Sequence, residues 1–327
     1  MGGFFVGNIS GITRLQIDGD NVSLPMFDEQ IKKAAFDDFF PVNAEKNVGF
    51  VSANDCLDAN FTTETTLLGD YRVFSLRVDR RTVPASAMKI RVLEETKKYL
   101  QESGQKRLNK EMREQIKEAV RTELLKNIPP VTAIHDVAIN TVTGVVYVSF
   151  LTNKLIQEFA DIFKESFEGQ IKLFEQMVKN DDLEKAGLSL VTVGREFMTW
   201  LWFKSQQGNG KIAVNGEDYD VHFIRRISLE SGEGEMAGTV VCSGADFDLN
   251  EAKEALRQGK KVKNARIRIE KDDIVWEFGY KVDSFQFQSV KLPVSAEVGE
   301  NETPEGRNLE RLFMVSALMD VMDGFFK

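Results

Sequence analysis

The strongest constraint on the fold is a succession of short segments in the C-terminal half of the chain in which apolar and polar residues alternate. Alternation with a period of two is typical of strands that bury one face. Strands joined by such short connections pair as antiparallel neighbours, so we predict a largely antiparallel sheet. The predicted strands are 219–229, 236–242, 262–270, 274–280 and 285–290, interrupted by a helix at 249–258 that Gly259 ends.

The N-terminal half mixes both kinds of element. The fold class is therefore α+β, with mixed, mainly antiparallel sheets. Phe27, Ile31 and Phe39 are expected on the buried side of the first predicted helix. Strands are predicted at 9–17, 48–51 and 71–78, a β-hairpin at 137–150, and helices at 27–40, 153–167, 196–204 and 307–322.

A chain of 327 residues is long enough for about two domains or for one elongated body with several lobes. Its 24 Phe residues can fill a sizeable core. We predict a central α+β region at 1–84 and 127–195, a basic helical hairpin at 85–126, and a β-rich C-terminal region with a terminal helix at 196–327.

The sequence carries no signal for a membrane or for secretion. No apolar run reaches the ~18 residues that span a bilayer. The first residues lack the basic and apolar regions of a signal peptide. Cys56 and Cys242 are the only cysteines and lie far apart, as expected of free thiols in a reducing compartment. We expect a cytoplasmic protein.

The distribution of charge favours a confined site for a polyanion. The net charge of −9 by itself disfavours nucleic acid as a partner, because Lys and Arg supply most of the affinity for phosphates. However, residues 79–126 hold 13 basic and 8 acidic residues, and residues 251–268 hold 7 and 2, so each segment carries +5. Two basic segments in an acidic protein can attract DNA there and repel it elsewhere.

The second of two helices predicted within 85–125, separated at Gly104, carries a basic stripe. Its cations recur every three or four residues and share one side of the helix, while Met112, Ile116, Ala119 and Val120 occupy another side. Such a row suits a phosphate backbone. The alternative is a solvated helix whose cations pair with acids such as Glu114. The stripe consists of Lys106, Lys110, Arg113, Lys117 and Arg121.

The candidate DNA contacts include this stripe, its neighbours in the chain and the lysines that follow Gly259. Lys260 and Lys261 are expected at a turn, from which they could reach phosphates directly. The full set is Lys97, Lys98, Lys106, Arg107, Lys110, Arg113, Lys117, Arg121, Lys126, Lys260, Lys261 and Lys263.

The segment 71–167 resembles the RdgC family in the order of its parts. A strand ends at Val83–Pro84, and two Lys/Arg-rich helices run to Leu124–Leu125. The hairpin INTVTGVVYV at 139–148 and a Leu/Phe-rich helix follow. The stretches 196–201 and 248–293 resemble the family as well. The resemblance covers most of the chain in element order, but it includes no compact catalytic signature.

This resemblance implies a horseshoe-shaped protomer that pairs with a second copy at both ends and closes a ring with a basic inner wall around duplex DNA. Members are implicated in recombination and replication, where they limit access of the RecA recombinase to DNA. The family's exonuclease label is historical. In relatives, an aromatic residue after the Leu–Leu pair is proposed to press into DNA. This chain has Lys126-Asn127-Ile128-Pro129-Pro130 there, so a wedge would have to come from Ile128 or the prolines.

No motif predicts catalysis, a metal or a cofactor. A two-metal nuclease needs several converging carboxylates. Turn-like segments, in which Asp commonly binds backbone N–H groups, contain the pairs Asp55/Asp58, Asp181/Asp182 and Asp272/Asp273. His135 and His222 match no zinc-site spacing with the two cysteines. The glycine-rich segments 208–211 and 231–234 fail the P-loop pattern.

The sequence therefore predicts a non-catalytic homodimer that binds double-stranded DNA without reading its sequence. We expect it at the nucleoid, without a cofactor or membrane contact, and with RecA as a candidate partner. The aromatic residues Trp200, Trp202 and Phe203 are more typical of a core or subunit interface than of base stacking. Two alternatives stay open: a Mg²⁺-dependent DNA exonuclease, and a scaffold that binds proteins through its acidic exterior and does not bind DNA.

Overall fold

The computed structural model describes residues 3–5, 7–17, 26–41, 43–167, 189–207, 210–231, 238–244, 250–293 and 303–326. Within these residues the fold mixes helices and strands, and the ladders between strands are antiparallel, as the sequence predicts. Across the same ranges, no helix is both long and apolar enough to cross a bilayer.

The described residues form twelve strands and eight α-helices. The strands are β1 (Ile9–Gln16), β2 (Lys46–Val51), β3 (Leu67–Leu68), β4 (Tyr71–Arg80), β5 (Val131–Asn140), β6 (Val145–Val148), β7 (Lys211–Val214), β8 (Glu217–Ser231), β9 (Gly238–Ser243), β10 (Lys261–Lys271), β11 (Ile274–Lys281) and β12 (Gln286–Lys291). The helices are α1 (Phe27–Gln30), α2 (Thr63–Thr66), α3 (Ala85–Ser103), α4 (Lys110–Lys126), α5 (Asn153–Ser166), α6 (Leu190–Ser205), α7 (Asn250–Arg257) and α8 (Pro304–Phe326), with 3₁₀ turns at Ile31–Ala34 and Val282–Ser284.

A single strand, β1, joins two sheets into one path with the order β2-β4-β5-β6-β1-β12-β11-β10-β8-β7. Its first half pairs with β12, where Ile9 lies opposite Val290, and its second half pairs with β6, where Thr13 lies opposite Val148. In addition, β3 pairs with β4, and β9 pairs with β8. The strands on the β6 side form the N-terminal sheet, and those on the β12 side form the C-terminal sheet.

The N-terminal sheet buries one face under α5. Phe159, Phe163 and Phe167 recur every four residues and therefore line one side of this helix. The buried ring of Phe159 lies 6.2 Å from the ring of Phe50 and 6.5 Å from the ring of Phe74. Burial of such a ring stabilises the fold by about 2 kcal/mol relative to exposure. The aromatic residues of α5 thus account for much of the attachment of this helix.

The terminal helix α8 contacts both sheets and joins their cores. Its buried side chains share one apolar cluster with Tyr147 of the N-terminal sheet and Trp276 of the C-terminal sheet. The indole N–H of Trp276 donates to the carbonyl oxygen of Met314 at 3.1 Å. Arg14 on β1 donates two hydrogen bonds of 2.8 Å to the Asp323 carboxylate. The two sheets are therefore packed into one body rather than only linked by the chain.

The helix predicted at 27–40 is wrong beyond its first two turns. The 3₁₀ turn ends at Ala34, because Ala35 is extended and forms a bridge with Phe50. The Phe36 N–H then donates to the Phe50 carbonyl oxygen at 2.8 Å. The side chain of Phe39, expected to be buried, is 75% exposed. Pairing with β2 satisfies the backbone groups of this segment and overrides its helical periodicity.

Two other predicted boundaries have different outcomes: the one at Gly104 is confirmed, and the one at residue 195 falls inside a helix. Gly104 separates α3 from α4 as predicted, and its φ of +65° is one that glycine adopts without strain. The predicted domain boundary at residue 195 falls inside α6, which packs against β8, β10 and the Val282–Ser284 turn. This helix belongs with the C-terminal sheet along its whole length.

Candidate nucleic-acid interface

Most of the basic stripe lies on α4. This helix begins at Lys110, about one turn after Lys106, the first residue of the stripe. The side-chain oxygen of Asn109 accepts a hydrogen bond of 2.7 Å from the Met112 N–H and so caps the helix. Lys106 lies before this cap, in the connection from α3, so its predicted place on the helix is wrong. The cations of the stripe that lie on the helix are Lys110, Arg113, Lys117 and Arg121.

The apolar side of α4 attaches the helix to the rest of the molecule. Val120 and Leu125 are buried, and Met112 and Ile116 are half-buried, whereas Ala119 is exposed. The helix contacts α3, which has no fully buried side chain of its own. The α3–α4 pair is therefore mostly surface, and the cations on it are accessible.

Six candidate cations near the connection between α3 and α4 are exposed and make no ion pair with any residue in the described ranges. Residues 97–113 contain these six and two acidic residues, Glu102 and Glu111, a net charge of +4. An exposed cation without an acidic partner can displace counterions from phosphates. We call this group the helix-end cluster; it consists of Lys97, Lys98, Lys106, Arg107, Lys110 and Arg113.

The remaining cations of the stripe are paired with acids. Arg121 donates to the Glu45 carboxylate at 2.5 and 2.8 Å, and the Lys117 ammonium lies 3.6 Å from the Glu114 carboxylate. Arg121 and Lys117 line a cleft of about 440 Å³ between α4 and the beginning of α3, whose walls are of mixed charge. The alternative of a solvated, ion-paired helix therefore describes this half of α4.

The segment after α4 leads directly into β5. Lys126 is exposed at the end of the helix, and the Asn127 N–H donates to the Leu124 carbonyl oxygen at 3.1 Å. Ile128 is half-buried, while Pro129 and Pro130 are exposed. The two prolines are thus the accessible apolar groups at this position.

Lys260, predicted as a phosphate contact at a turn, is only 5% exposed. Its ammonium donates a hydrogen bond of 2.8 Å to the carbonyl oxygen of Gly238, the first residue of β9. Gly259, with a φ of +86°, ends α7 as predicted. Because the ammonium is buried, little of it is within reach of a phosphate. We therefore do not assign Lys260 as a DNA contact.

The cations of the second basic segment that lie on β10 point away from the core, and each has an acidic partner. Lys263 and Arg195 both bind Glu230, and the hydrogen bond from Lys263 is the main reason why the pKa of Glu230 lies below its usual value. The predicted contacts Lys261 and Lys263 are thus largely neutralised. The ion pairs are Lys261–Glu196 at 2.9 Å, Lys263–Glu230 at 2.7 Å, Arg266–Glu277 at 2.7 Å and Arg268–Glu270 at 2.6 Å.

Asp55 and Asp58, the first pair of carboxylates considered for metal binding, serve turns. Asp55 accepts a hydrogen bond of 2.9 Å from the Leu57 N–H, and Asp58 accepts one of 2.8 Å from the Asn60 N–H. These are local Asx turns. Asp181 and Asp182 lie outside the described residues, as do most of the glycine-rich segments named above. In the described ranges, no three His, Cys, Asp or Glu side chains come together as metal ligands.

His135 and Asp136 are adjacent on β5 and therefore point to opposite faces of the sheet. The His135 ring packs against Phe150 with centroids 5.5 Å apart, and burial together with the charge of Arg80 lowers its pKa. Burial raises the pKa of Asp136, although its carboxylate accepts hydrogen bonds from the Phe4 N–H and the Ser75 hydroxyl. The two side chains do not form an acid–base pair.

The aromatic helix α6 has two sides. Phe197 and Trp202 are buried against the C-terminal sheet, while Trp200 and Phe203 are 46% and 52% exposed. Neither Cys56, which is exposed, nor Cys242, which is half-buried, forms a disulfide. These residues are not near the helix-end cluster in the chain, and nothing in their contacts points to chemistry.

A family model described as "Putative exonuclease, RdgC" matches residues 13–185 of the chain, which is more than half of it. The chain belongs to the RdgC family. Membership in RdgC is consistent with a recombination-related role associated with nucleic acid. The matched residues include α3, α4 and the helix-end cluster, and they end before α6. No curated protein matches the chain.

Two further cations were missed by the sequence prediction. Arg226 on β8 and Lys281 on β11 lie on the same outer face of the C-terminal sheet and line one cavity with Arg266. They lie far apart in the chain, and no local charge run marks them. Strand alternation could have placed each on the polar face, but only strand pairing brings them together.

Proposed function

We propose that this RdgC protein binds double-stranded DNA through phosphate contacts, without reading base sequence and without catalysis, in recombination and replication at the nucleoid. The observation that carries the proposal is the helix-end cluster, six exposed cations that pair with no acid in the described part of a protein of net charge −9. The protein as a whole is negatively charged, so exposed cations confined to a small area determine where DNA is held.

The chemistry of the cluster favours phosphates over bases. Lysine and arginine side chains on a solvent-exposed helix and its connection reach the backbone as point charges and bidentate donors. Phosphate contacts fix position but carry no sequence information. Each phosphate neutralised lowers log K by ~0.9 for each tenfold rise in salt concentration.

The assembly we propose follows from the RdgC family: α3 and α4 form a protruding helical hairpin on a horseshoe-shaped protomer, and two protomers close a ring around DNA. Ile90 and Leu93 on α3 support self-association, because both are more than half exposed, at 56% and 52%. Neighbouring exposed apolar residues on a helix are commonly covered by a partner. A closed ring on the duplex would limit the access of RecA.

The direct test is fluorescence anisotropy with linear and closed-circular duplexes at several salt concentrations. The test variant Lys106→Gln/Lys110→Gln/Arg107→Gln/Arg113→Gln removes four unpaired cations of the helix-end cluster. The control variant Lys32→Gln/Lys154→Gln/Lys204→Gln/Lys211→Gln removes four exposed lysines elsewhere, so both have the same net charge. We expect affinity to fall about 100-fold in the test variant at ~0.1 M salt and less than threefold in the control.

Each alternative has its own signature in this experiment. Equal loss in both variants would show a general charge effect and contradict the assigned site. Loss of labelled DNA that needs Mg²⁺ and stops with chelator would establish an exonuclease. A wild-type protein that fails to bind any duplex at low salt would favour the protein-binding scaffold. Light scattering after size-exclusion chromatography tests the homodimer separately.

A further inference from the structure

The outer face of the C-terminal sheet contains a cavity of about 430 Å³, well away in the chain from the helix-end cluster. A flat antiparallel sheet does not enclose such a space, since side chains stand in parallel rows on its face. The cavity lies where β8, β10, β11 and β12 run side by side. Its lining includes Arg226, Asn264, Arg266, Lys281, Gln288 and Ser289.

Irregular strand pairing produces the cavity. The β8–β10 ladder shifts register between Ala265 and Ile267, and the β11–β12 ladder shifts between Glu277 and Gly279. Two non-glycine residues beside these shifts, Arg225 and Ser289, have positive φ values of 58° and 47°. Bulges re-aim side chains, and left-handed non-glycine residues are strained, so both features concentrate at functional sites.

Among the described residues, the cavity is lined by basic and neutral side chains and by no acid. Arg226 is exposed and Lys281 half-buried, and neither makes an ion pair with any residue in the described ranges. Arg266 is oriented by two hydrogen bonds, of 2.7 and 2.9 Å, to Glu277. Arg226 and Lys281 thus differ, among the described residues, from the cations of β10, each of which pairs with an acid.

Glu277 does not neutralise this region. Arg225, Arg266 and Lys291 all lie within 3.5 Å of its carboxylate, at 3.2, 2.7 and 3.5 Å. Three cations share one anion, and Arg226 and Lys281 add two more charges that have no ion-pair partner among the residues that the structure describes. The local surplus is positive, and the amides of Asn264 and Gln288 and the hydroxyl of Ser289 add neutral donors.

We propose that this cavity binds a phosphate group. Arginine and lysine side chains place several charged donors around one space. The oxygens of a phosphate can accept several charge-assisted hydrogen bonds at once, so a phosphate fits this set of donors. The group can come from a DNA backbone or from a small phosphorylated molecule such as a mononucleotide. The binding of a phosphate group to this cavity does not depend on the proposed function. The assignment of that phosphate to a DNA backbone rests on the proposed function.

The test uses full-length protein and two probes, inorganic phosphate followed by ³¹P NMR line width and a labelled 20-bp duplex followed by anisotropy. The test variant is Arg226→Gln/Lys281→Gln, which removes two cations without ion pairs in the described ranges. The control variant is Lys204→Gln/Lys211→Gln, which removes two exposed lysines outside the cavity. Thermal unfolding confirms that both variants fold.

We expect the test variant, and not the control, to lose at least tenfold in affinity for inorganic phosphate. A parallel loss of duplex affinity assigns the source as DNA backbone; unchanged duplex affinity assigns it as a small phosphorylated molecule. Equal phosphate binding by wild type and both variants would overturn the proposal. Failure of the helix-end cluster to bind DNA leaves the phosphate titration unaffected, so the two proposals fail separately.

Discussion

The two basic segments of this chain have the same net charge of +5 in the sequence but opposite surroundings in the fold. Around the connection of α3 and α4, six cations are exposed and, among the described residues, make no ion pair. In the second segment, the four cations that lie on β10 pair with acids at 2.6 to 2.9 Å. The net charge of a segment of the sequence therefore does not tell how many of its cations are available to bind a polyanion.

The physical reason is that a strand within a sheet and a mostly exposed helix differ in how many neighbouring residues surround them. A strand has cross-strand neighbours about 5 Å away on both sides, so acids on β8 and β11 reach the cations of β10. A mostly exposed helix has neighbours only on its attached side. Arg121, near that side, meets Glu45 on the main body, whereas Lys110 and Arg113 pair with no acid in the part of the chain that the structure describes.

The largest predicted effect comes from reversing charge in each region. Lys106→Glu/Lys110→Glu/Arg113→Glu should abolish measurable duplex binding, a loss above about 100-fold, because unpaired cations are replaced by repelling anions. Lys261→Glu/Lys263→Glu reverses fewer charges, and its two lysines are already neutralised by acids. This variant should therefore lose no more than about tenfold in duplex affinity. Anisotropy at fixed salt measures both. Equal loss in the two variants would remove the distinction between the regions.

The second prediction frees paired cations instead of removing them. Glu277→Gln keeps the size of the side chain and leaves Arg225, Arg266 and Lys291 without their shared anion. We expect duplex affinity to rise about three- to tenfold and its dependence on salt to steepen. Glu310→Gln, which changes the same charge on α8, is the control and should not change affinity. An unchanged affinity in Glu277→Gln would mean that this face does not meet DNA.

The third prediction uses pH. The hydrogen bond from Lys263 lowers the pKa of Glu230, and Arg266, Arg225 and Lys291 outweigh burial to lower that of Glu277. Stability from a carboxylate with a lowered pKa is fully present above its unfolded pKa and is lost as pH falls through the folded value. Urea unfolding should show the free energy of unfolding decreasing below about pH 4.5.

The comparison with a variant isolates the contribution of these two carboxylates. Glu230→Gln/Glu277→Gln should be less stable at pH 7 by about 1 kcal/mol and should show a shallower acid decline than wild type. Parallel pH curves for the two proteins would place the acid sensitivity elsewhere in the chain.

The smallest predicted effect concerns Arg121, the paired member of the α4 stripe. Arg121→Gln removes the ion pair with Glu45, in which both side chains are nearly half exposed, so the free energy of unfolding should change little. Duplex affinity should change less than twofold, because this guanidinium is already neutralised. A loss comparable to that of Arg113→Gln would show that DNA displaces Glu45 from Arg121.

The sequence predicted the local elements well where one signal dominated. Period-two alternation located β8, β10, β11 and β12, and the four-residue spacing of phenylalanines located α5. It failed at 27–40, where pairing of Ala35 and Phe36 with β2 competed with helical periodicity. For the candidate site, spacing located the cations of α4 but placed Lys106 one turn too far into the helix and Lys260 on the surface.

By itself, then, the sequence determined the fold class, the family and the two regions rich in cations, because these depend on local periodicity and on residues close together in the chain. Only the tertiary structure decided which cations are paired, that β1 joins both sheets, and that Arg226, Arg266 and Lys281 share one cavity. Ion pairing and strand register join residues far apart in sequence, and the energy of those contacts exists only when the chain has folded.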